Sequence, residues 1–144
     1  MPAARILVVD DNLKNASSLE KLLLALGQEV HTAHDGQQAL EIARNQHPDV
    51  ILLDIGLPVM DGYEVARRCR IDPQLQKITL VAMTGYGQEQ DRQRSQKAGF
   101  NAHLVKPVDL EDLKGLLKHT GQIASPSPRT VTRAEPVQRD RSNC

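Results

Sequence analysis

Apolar residues along this chain gather into short runs separated by stretches with helical spacing. Aliphatic and β-branched runs recur at Arg5–Asp10, Glu29–Ala33, Val50–Asp54, Ile78–Met83 and Ala102–Val105, each of strand length. Between the first two, Ala16, Leu19, Leu23 and Leu26 share one face of a predicted helix, and Gly27 stands at the C′ position that ends it. A second helix, about Asp35–Gln46, carries Ala39, Leu40 and Ala43 and halts before Pro48. A third, about Gly62–Arg70, aligns Val65, Ala66 and Cys69, with Pro73 just beyond. The fourth, about Gln88–Ala98, is almost wholly polar and stops at Gly99, whereas the fifth, about Leu110–His119, presents Leu110, Leu113, Leu116 and Leu117.

Strand and helix patterns thus alternate along residues 5–119. Alternation at this spacing demands right-handed crossovers and a parallel sheet covered on both faces. The expected fold class is α/β, a flavodoxin-like (βα)5 three-layer sandwich whose parallel five-stranded sheet runs in the order 2-1-3-4-5. Past His119 the pattern dissolves into Ser125-Pro126-Ser127-Pro128 and then Arg, Thr, Glu and Gln, with few large apolar residues. Residues 1–119 are therefore expected as the domain and 120–144 as a disordered polar tail or linker. That tail is too short and too polar for a helix-turn-helix output module.

Composition narrows the class further. A chain of 144 residues, 40% apolar and 25% charged, is sized for one globular domain with a real core. Lys plus Arg equal Asp plus Glu at 18 each, so no overall basic field favours direct DNA binding. Cys69 and Cys144 have no CxxC partner and no metal-ligand spacing, which suits a reducing, cytoplasmic setting. The longest apolar runs fall far short of the ~20 residues that span a bilayer, and no charged-then-apolar leader opens the chain, so no membrane association is expected.

The chemistry lies at the strand ends. Asp10 and Asp11 close Ile6-Leu7-Val8-Val9, and Asp54 closes Val50-Ile51-Leu52-Leu53. If these runs are neighbouring parallel strands, all three acids meet at the carboxyl edge of the sheet, where open α/β folds bind ligands. Two carboxylates about 4 Å apart repel by roughly 4 kcal/mol at an effective dielectric near 20, so the cluster calls for a divalent cation. Oxygen-only ligands in small number suit Mg²⁺. Taken singly, each residue has a plainer reading. An Asp at a strand end also caps the next helix, Thr84 is a β-former, Lys106 a surface charge, and Asp61-Gly62 a turn and helix start. The histidines at 31, 34, 47, 103 and 119 show no metal spacing.

Taken as a set, Val8-Val9-Asp10-Asp11, Leu53-Asp54 followed by Leu57-Pro58-Val59-Met60-Asp61-Gly62, Ala82-Met83-Thr84 and Val105-Lys106-Pro107 resemble the receiver domain of two-component response regulators, over residues 5 to about 119. The resemblance implies that Asp54 accepts a phosphoryl group from a phosphohistidine on a sensor histidine kinase or a histidine phosphotransfer protein. It implies Mg²⁺ held by Asp10, Asp11, Asp54 and the backbone carbonyl of Gly56, phosphoryl sensing by Thr84 and Lys106, and a cis peptide before Pro107. A carboxylate is a competent nucleophile toward phosphorus, and the remaining need is neutralisation of charge, which a metal and a lysine supply. A Thr84 hydroxyl drawn toward a phosphoryl oxygen converts a local bond into a loop rearrangement. The chain thus reads as a phosphoaccepting switch rather than an enzyme, acting on a downstream protein through the face built from helix four, strand five and helix five. The polar fourth helix argues against a permanent apolar dimer, so a monomer or a weak phosphorylation-dependent dimer is expected. Both a free-standing receiver and the receiver of a hybrid kinase fit the run from Asp54 to Ala66.

Two departures from the family pattern bear on the switch. His103 occupies the position three before the lysine where an aromatic ring is usual, and it is expected to take that ring's place. Gly56 and Tyr86, two residues after Asp54 and Thr84, offer no carboxamide or acid to orient water, which predicts slow autodephosphorylation with Tyr86 shielding the site. Competing functions lack their residues. An aspartyl-phosphate phosphatase needs a second acid two residues after its nucleophile, where Asp54 is followed by Gly56; a flavodoxin loop would not place Asp10-Asp11-Asn12 against a phosphate. Neither GxGxxG nor GxxxxGK[ST] occurs.

Overall fold

The structure, a computed structural model, describes residues 4–85, 89–119 and 134–136. Five parallel strands, β1 (Arg5–Val9), β2 (Glu29–Ala33), β3 (Val50–Asp54), β4 (Thr79–Thr84) and β5 (Ala102–Val105), alternate with α1 (Leu13–Ala25), α2 (Gly36–Gln46), α3 (Gly62–Ile71), α4 (Glu89–Ala98) and α5 (Leu110–His119). The strands lie in the order β2-β1-β3-β4-β5. Strand periodicity sorts the side chains into two layers. Leu7, Val9, Ile51, Leu53, Leu80 and Ala82 face Ala39, Leu40 and Ala43 of α2 and Val65, Ala66 and Cys69 of α3. Ile6, Val8, Val50, Leu52, Val81 and Met83 face Ala16, Leu19 and Leu23 of α1 and Leu113, Leu116 and Leu117 of α5. The central strands are buried on both faces, which explains why they read as continuous apolar runs without alternation.

Local chemistry sets the helix ends. Asn12, Asp35 and Asp61 cap α1, α2 and α3 by accepting from the amides of Asn15, Gln38 and Glu64. Asp109 and Asp112 exchange side-chain to amide hydrogen bonds of 2.9 and 3.1 Å at the start of α5, a reciprocal capping pair. Gly27, at φ 82°, turns the chain out of α1, and Leu26, expected on the helix face, is its C-cap residue. A sixth strand, β6 (Ala134–Pro136), adds to β5 antiparallel. It comes from the stretch read as an unstructured polar tail; the rest of that stretch, 120–133 and 137–144, lies outside the described residues. Among the described residues, no helix is long and apolar enough to cross a membrane.

Candidate functional site: an acidic cluster at the carboxyl edge

Because β1 and β3 are hydrogen-bonded neighbours in register from Ile6↔Val50 to Val9↔Leu53, the residues that follow them emerge side by side. Asp10, Asp11 and Asp54 offer carboxylate oxygens that all lie within 4.8 Å of one another. Asp10 is 0% exposed and Asp54 8%, whereas Asp11 faces solvent. Lys106, delivered from the end of β5, bridges the two buried acids, with Nζ 3.3 Å from Asp10 Oδ2 and 3.1 Å from Asp54 Oδ2. The second oxygen of each acid is held by backbone. Asp10 Oδ1 accepts from the Asn12 amide and Asp54 Oδ1 from the Gly56 amide, both at 2.9 Å. Both acids are thereby aimed into the cleft by their own loops.

The electrostatics follow from this packing. Burial pushes the Asp10 carboxyl above the usual carboxylate range, the Asn12 amide and Lys106 pull it back, and Asp54 adds to the rise. Burial also works against the charge on Lys106, but hydrogen bonding and attraction from Asp54, joined by Asp10, outweigh it and hold the lysine above its ordinary value. Asp10 Oδ2 makes an ion pair with Lys106 and no hydrogen bond. The site therefore holds more negative charge than one lysine neutralises.

Thr84, the last residue of β4, lies buried beside this cluster, and its Oγ1 is hydrogen-bonded to His103 Nε2 at 3.1 Å. Their strands are neighbours in register, with Ala82 opposite His103, so the two side chains share one face of the sheet. His103 is 2% exposed, so its imidazole lies in the interior. The peptide between Lys106 and Pro107 is cis. Tyr86 lies outside the described residues. Gly56 is exposed in the loop after Asp54, its amide committed to the Asp54 carboxylate.

Three close contacts around the site had no clear signal in the sequence, although the turn and helix start at Asp61-Gly62 did. His34 Nδ1 lies 3.3 Å from the carbonyl oxygen of Asp10, its acceptor, so α2's entry loop props β1's end. Gly62 is present because α3 starts against the loop after Asp54: a Cβ there would sit 2.6 Å from Ile55 Cα and 2.7 Å from the Asp54 carbonyl oxygen. Val59 holds φ 67° with the Met60 amide donating to the Pro58 carbonyl at 2.8 Å, a tight three-residue turn with a left-handed β-branched centre.

Comparison with known proteins points one way. The model of the response regulator receiver domain family matches residues 6–118. The response regulator PleD of Caulobacter vibrioides is 43% identical over 107 residues, 74% of this chain; the chain spans 24% of PleD's own length. The polar-differentiation response regulator DivK of Brucella ovis is 34% identical over 105 residues, 73% of this chain and 85% of DivK. Among solved structures, the receiver domain of the sensor histidine kinase PA1611 from Pseudomonas aeruginosa, with magnesium coordinated in its active site cleft, is 35% identical at TM-score 0.76, covering 83% of this chain and 99% of that one. The co-crystal of the Saccharomyces cerevisiae histidine phosphotransfer protein Ypd1 with the receiver domain of Ssk1 matches at 27% identity and TM-score 0.77, over 84% of this chain and 90% of that one.

Proposed function

The chain belongs to the response regulator receiver family, and from that premise we propose that Asp54 is its phosphoacceptor, taking a phosphoryl group from a phosphohistidine on a sensor histidine kinase or a histidine phosphotransfer protein. The observation that carries this is the bridging of Asp54 and Asp10 by Lys106 at 3.1 and 3.3 Å in an otherwise acidic cleft. An Asp54 oxygen attacks phosphorus, the new O–P bond forms as the N–P bond breaks, and the electron pair returns to the imidazole. Lys106, already paired with that carboxylate, takes up charge on the arriving phosphoryl oxygens. The complex of Ypd1 with the Ssk1 receiver supports a donor of this type, and a cytoplasmic location goes with it.

The donor set fits a divalent cation. Three carboxylates within 4.8 Å and a buried Asp10 oxygen without a hydrogen bond make an all-oxygen, over-charged cleft. Asp11 and Asp54 would hold Mg²⁺ with the Gly56 carbonyl, and Asp10 would act on it through water. Bound there, the ion supplies neutralisation of phosphoryl charge. Thr84 and His103 form the switch. For Thr84 to donate to a phosphoryl oxygen, its bond to His103 must rearrange or reverse direction, which couples the phosphorylated site to β5. The absence of an acid or carboxamide at Gly56 and Tyr86 goes with a long-lived phosphoryl group. The output is presented to a protein partner on the α4–β5–α5 face.

The test is the intact mass of the chain after incubation with acetyl phosphate, with Mg²⁺ or with EDTA, beside Asp54→Asn. One added phosphoryl group that requires both Asp54 and Mg²⁺ is expected. A folded chain that binds Mg²⁺ but gains no mass overturns the reading.

A further inference from the structure

We propose that the outer edge of β5 is a strand-docking surface, that its occupant is this chain's own segment Ala134–Pro136, and that phosphorylation of Asp54 releases that segment; the last step rests on the function proposed above. The direction of the main-chain groups establishes the edge. Ile55 donates its amide to the Met83 carbonyl at 3.2 Å, so Met83 and its alternates Val81 and Thr79 bond toward β3. Thr84 and its alternates therefore bond toward β5, as the Lys106 amide on the Thr84 carbonyl at 2.7 Å confirms. With Thr84 opposite Val105 and Met83 opposite Leu104, this parity turns the main chain of Ala102 and Leu104 toward β4 and that of His103 outward. An outward row of amide and carbonyl groups is a template for another strand.

The segment that lies there matches the template. The antiparallel register pairs Ala102 with Pro136, His103 with Glu135 and Leu104 with Ala134. Glu135 thus meets His103 at the position where both partners exchange hydrogen bonds. Pro136, which has no amide hydrogen, falls opposite Ala102, whose amide is engaged on the other side. A one-residue slip would bring the proline opposite His103 and lose a bond, so the register is specified by the sequence of the segment.

One residue thereby belongs to both systems. The side chain of His103 holds the Thr84 hydroxyl at 3.1 Å, and its main chain holds β6. Drawing Thr84 toward a phosphoryl group on Asp54 disturbs the bond to His103, and any adjustment of His103 within β5 acts on its pairing with Glu135. A strand of 3 residues sets few hydrogen bonds against the cost of closing the intervening chain, so its docking is easily tipped. By linkage, a tail held on β5 favours the unphosphorylated form to the same extent that phosphorylation disfavours docking.

The experiment is residue-resolved amide exchange on the full chain, wild type and Glu135→Pro, before and after acetyl phosphate and Mg²⁺, with intact mass recorded on the same samples. The substitution removes the Glu135 amide while leaving the core intact. Without phosphorylation, the His103 amide is expected to exchange about tenfold more slowly in wild type than in Glu135→Pro, with Ala102 and Leu104 alike in both. Phosphorylation is expected to raise the wild-type His103 rate to that of the variant. Equal His103 rates in the two unphosphorylated proteins overturn docking, as does protection that fades on dilution alongside a dimer mass, which would assign the edge to a second copy. Unchanged protection in a sample whose mass shows the phosphoryl group overturns release. A sample that gains no phosphoryl group removes the premise of release and refutes the function proposed for Asp54, while the Glu135→Pro comparison still decides docking.

Discussion

Replacing Asp10 with Asn should stabilise the metal-free protein, although Asp10 sits at the centre of the site. Its carboxylate is fully buried, and the oxygens of Asp11 and Asp54 lie within 4.8 Å. At an effective dielectric near 20, each repulsion at that separation costs about 3.5 kcal/mol, and Lys106 at 3.3 Å returns about 5 kcal/mol. Asp11 is exposed, so solvent and salt reduce its share. Lys106's attraction then offsets most of the repulsion, and the desolvation of a buried carboxylate, the largest influence on Asp10, leaves the net cost. A gain on the order of 2 kcal/mol is expected for Asp10→Asn at pH 7 in EDTA. Urea unfolding followed by circular dichroism reads it as a higher midpoint at unchanged m-value. With Mg²⁺ in the proposed site, saturating ion should shrink the gap, because only the wild type keeps all three acids of the cleft. The pH dependence has a definite sign. Asp10's pKa is raised in the fold, so between its ordinary and raised values the native state keeps a proton that the unfolded chain has released. Wild-type stability attributable to Asp10 is therefore lost as pH rises through that interval, and the advantage of Asn grows across it and disappears below it. A variant less stable than wild type at pH 7 in EDTA, or an advantage undiminished at acid pH, refutes the reasoning.

Other perturbations test the surrounding scaffold. Val59→Gly should raise stability by about 1 kcal/mol in thermal unfolding, since relief of a β-branched residue at φ 67° exceeds the entropy that glycine adds to the unfolded chain; a lower melting temperature would show the turn to be unstrained. Arg70→Ala should cost roughly 2–3 kcal/mol in urea, because its guanidinium donates to the carbonyls of Gly99, Gln76 and Ile78 and to Asn101 Oδ1 at 2.7–2.8 Å, and Arg70→Lys should recover less than half of the loss. Burial pushes the Cys69 thiol up to about 11, so in a Cys144→Ser background its alkylation at pH 8 should follow global unfolding; fast labelling of the native protein would mean that the α3 face opens locally.

Strand and helix positions were legible because burial on both faces leaves continuous aliphatic runs in β1, β3 and β4, and helices facing one layer leave a stripe. The acids were legible for a related reason: charged residues abutting such runs have no place in a core. Arg70 was not. Nothing in Arg70-Ile71-Asp72 distinguishes it from Arg67 or Arg68, which lie on the exposed side of α3 and pair with Glu64 instead. The Thr84–His103 bond was equally hidden, because it depends on the β4–β5 register. The same is true of β6: a polar three-residue stretch carries no periodicity, and only an edge whose bonding groups face outward gives it a partner.

The amino-acid order by itself determined the alternation of elements, the places where they stop and the candidates for chemistry, since these follow from spacing, capping and turn residues that act over a few positions. Tertiary structure decided which of those candidates meet. The crossover of β3 beside β1 brings Asp54 to Asp10, and the end of β5 brings Lys106 to both; parity along β5 sends His103's side chain to Thr84 and its backbone to the outer edge, where β6 pairs. Such relations span strands far apart in sequence, so they are set by packing and hydrogen-bond direction rather than by any local pattern.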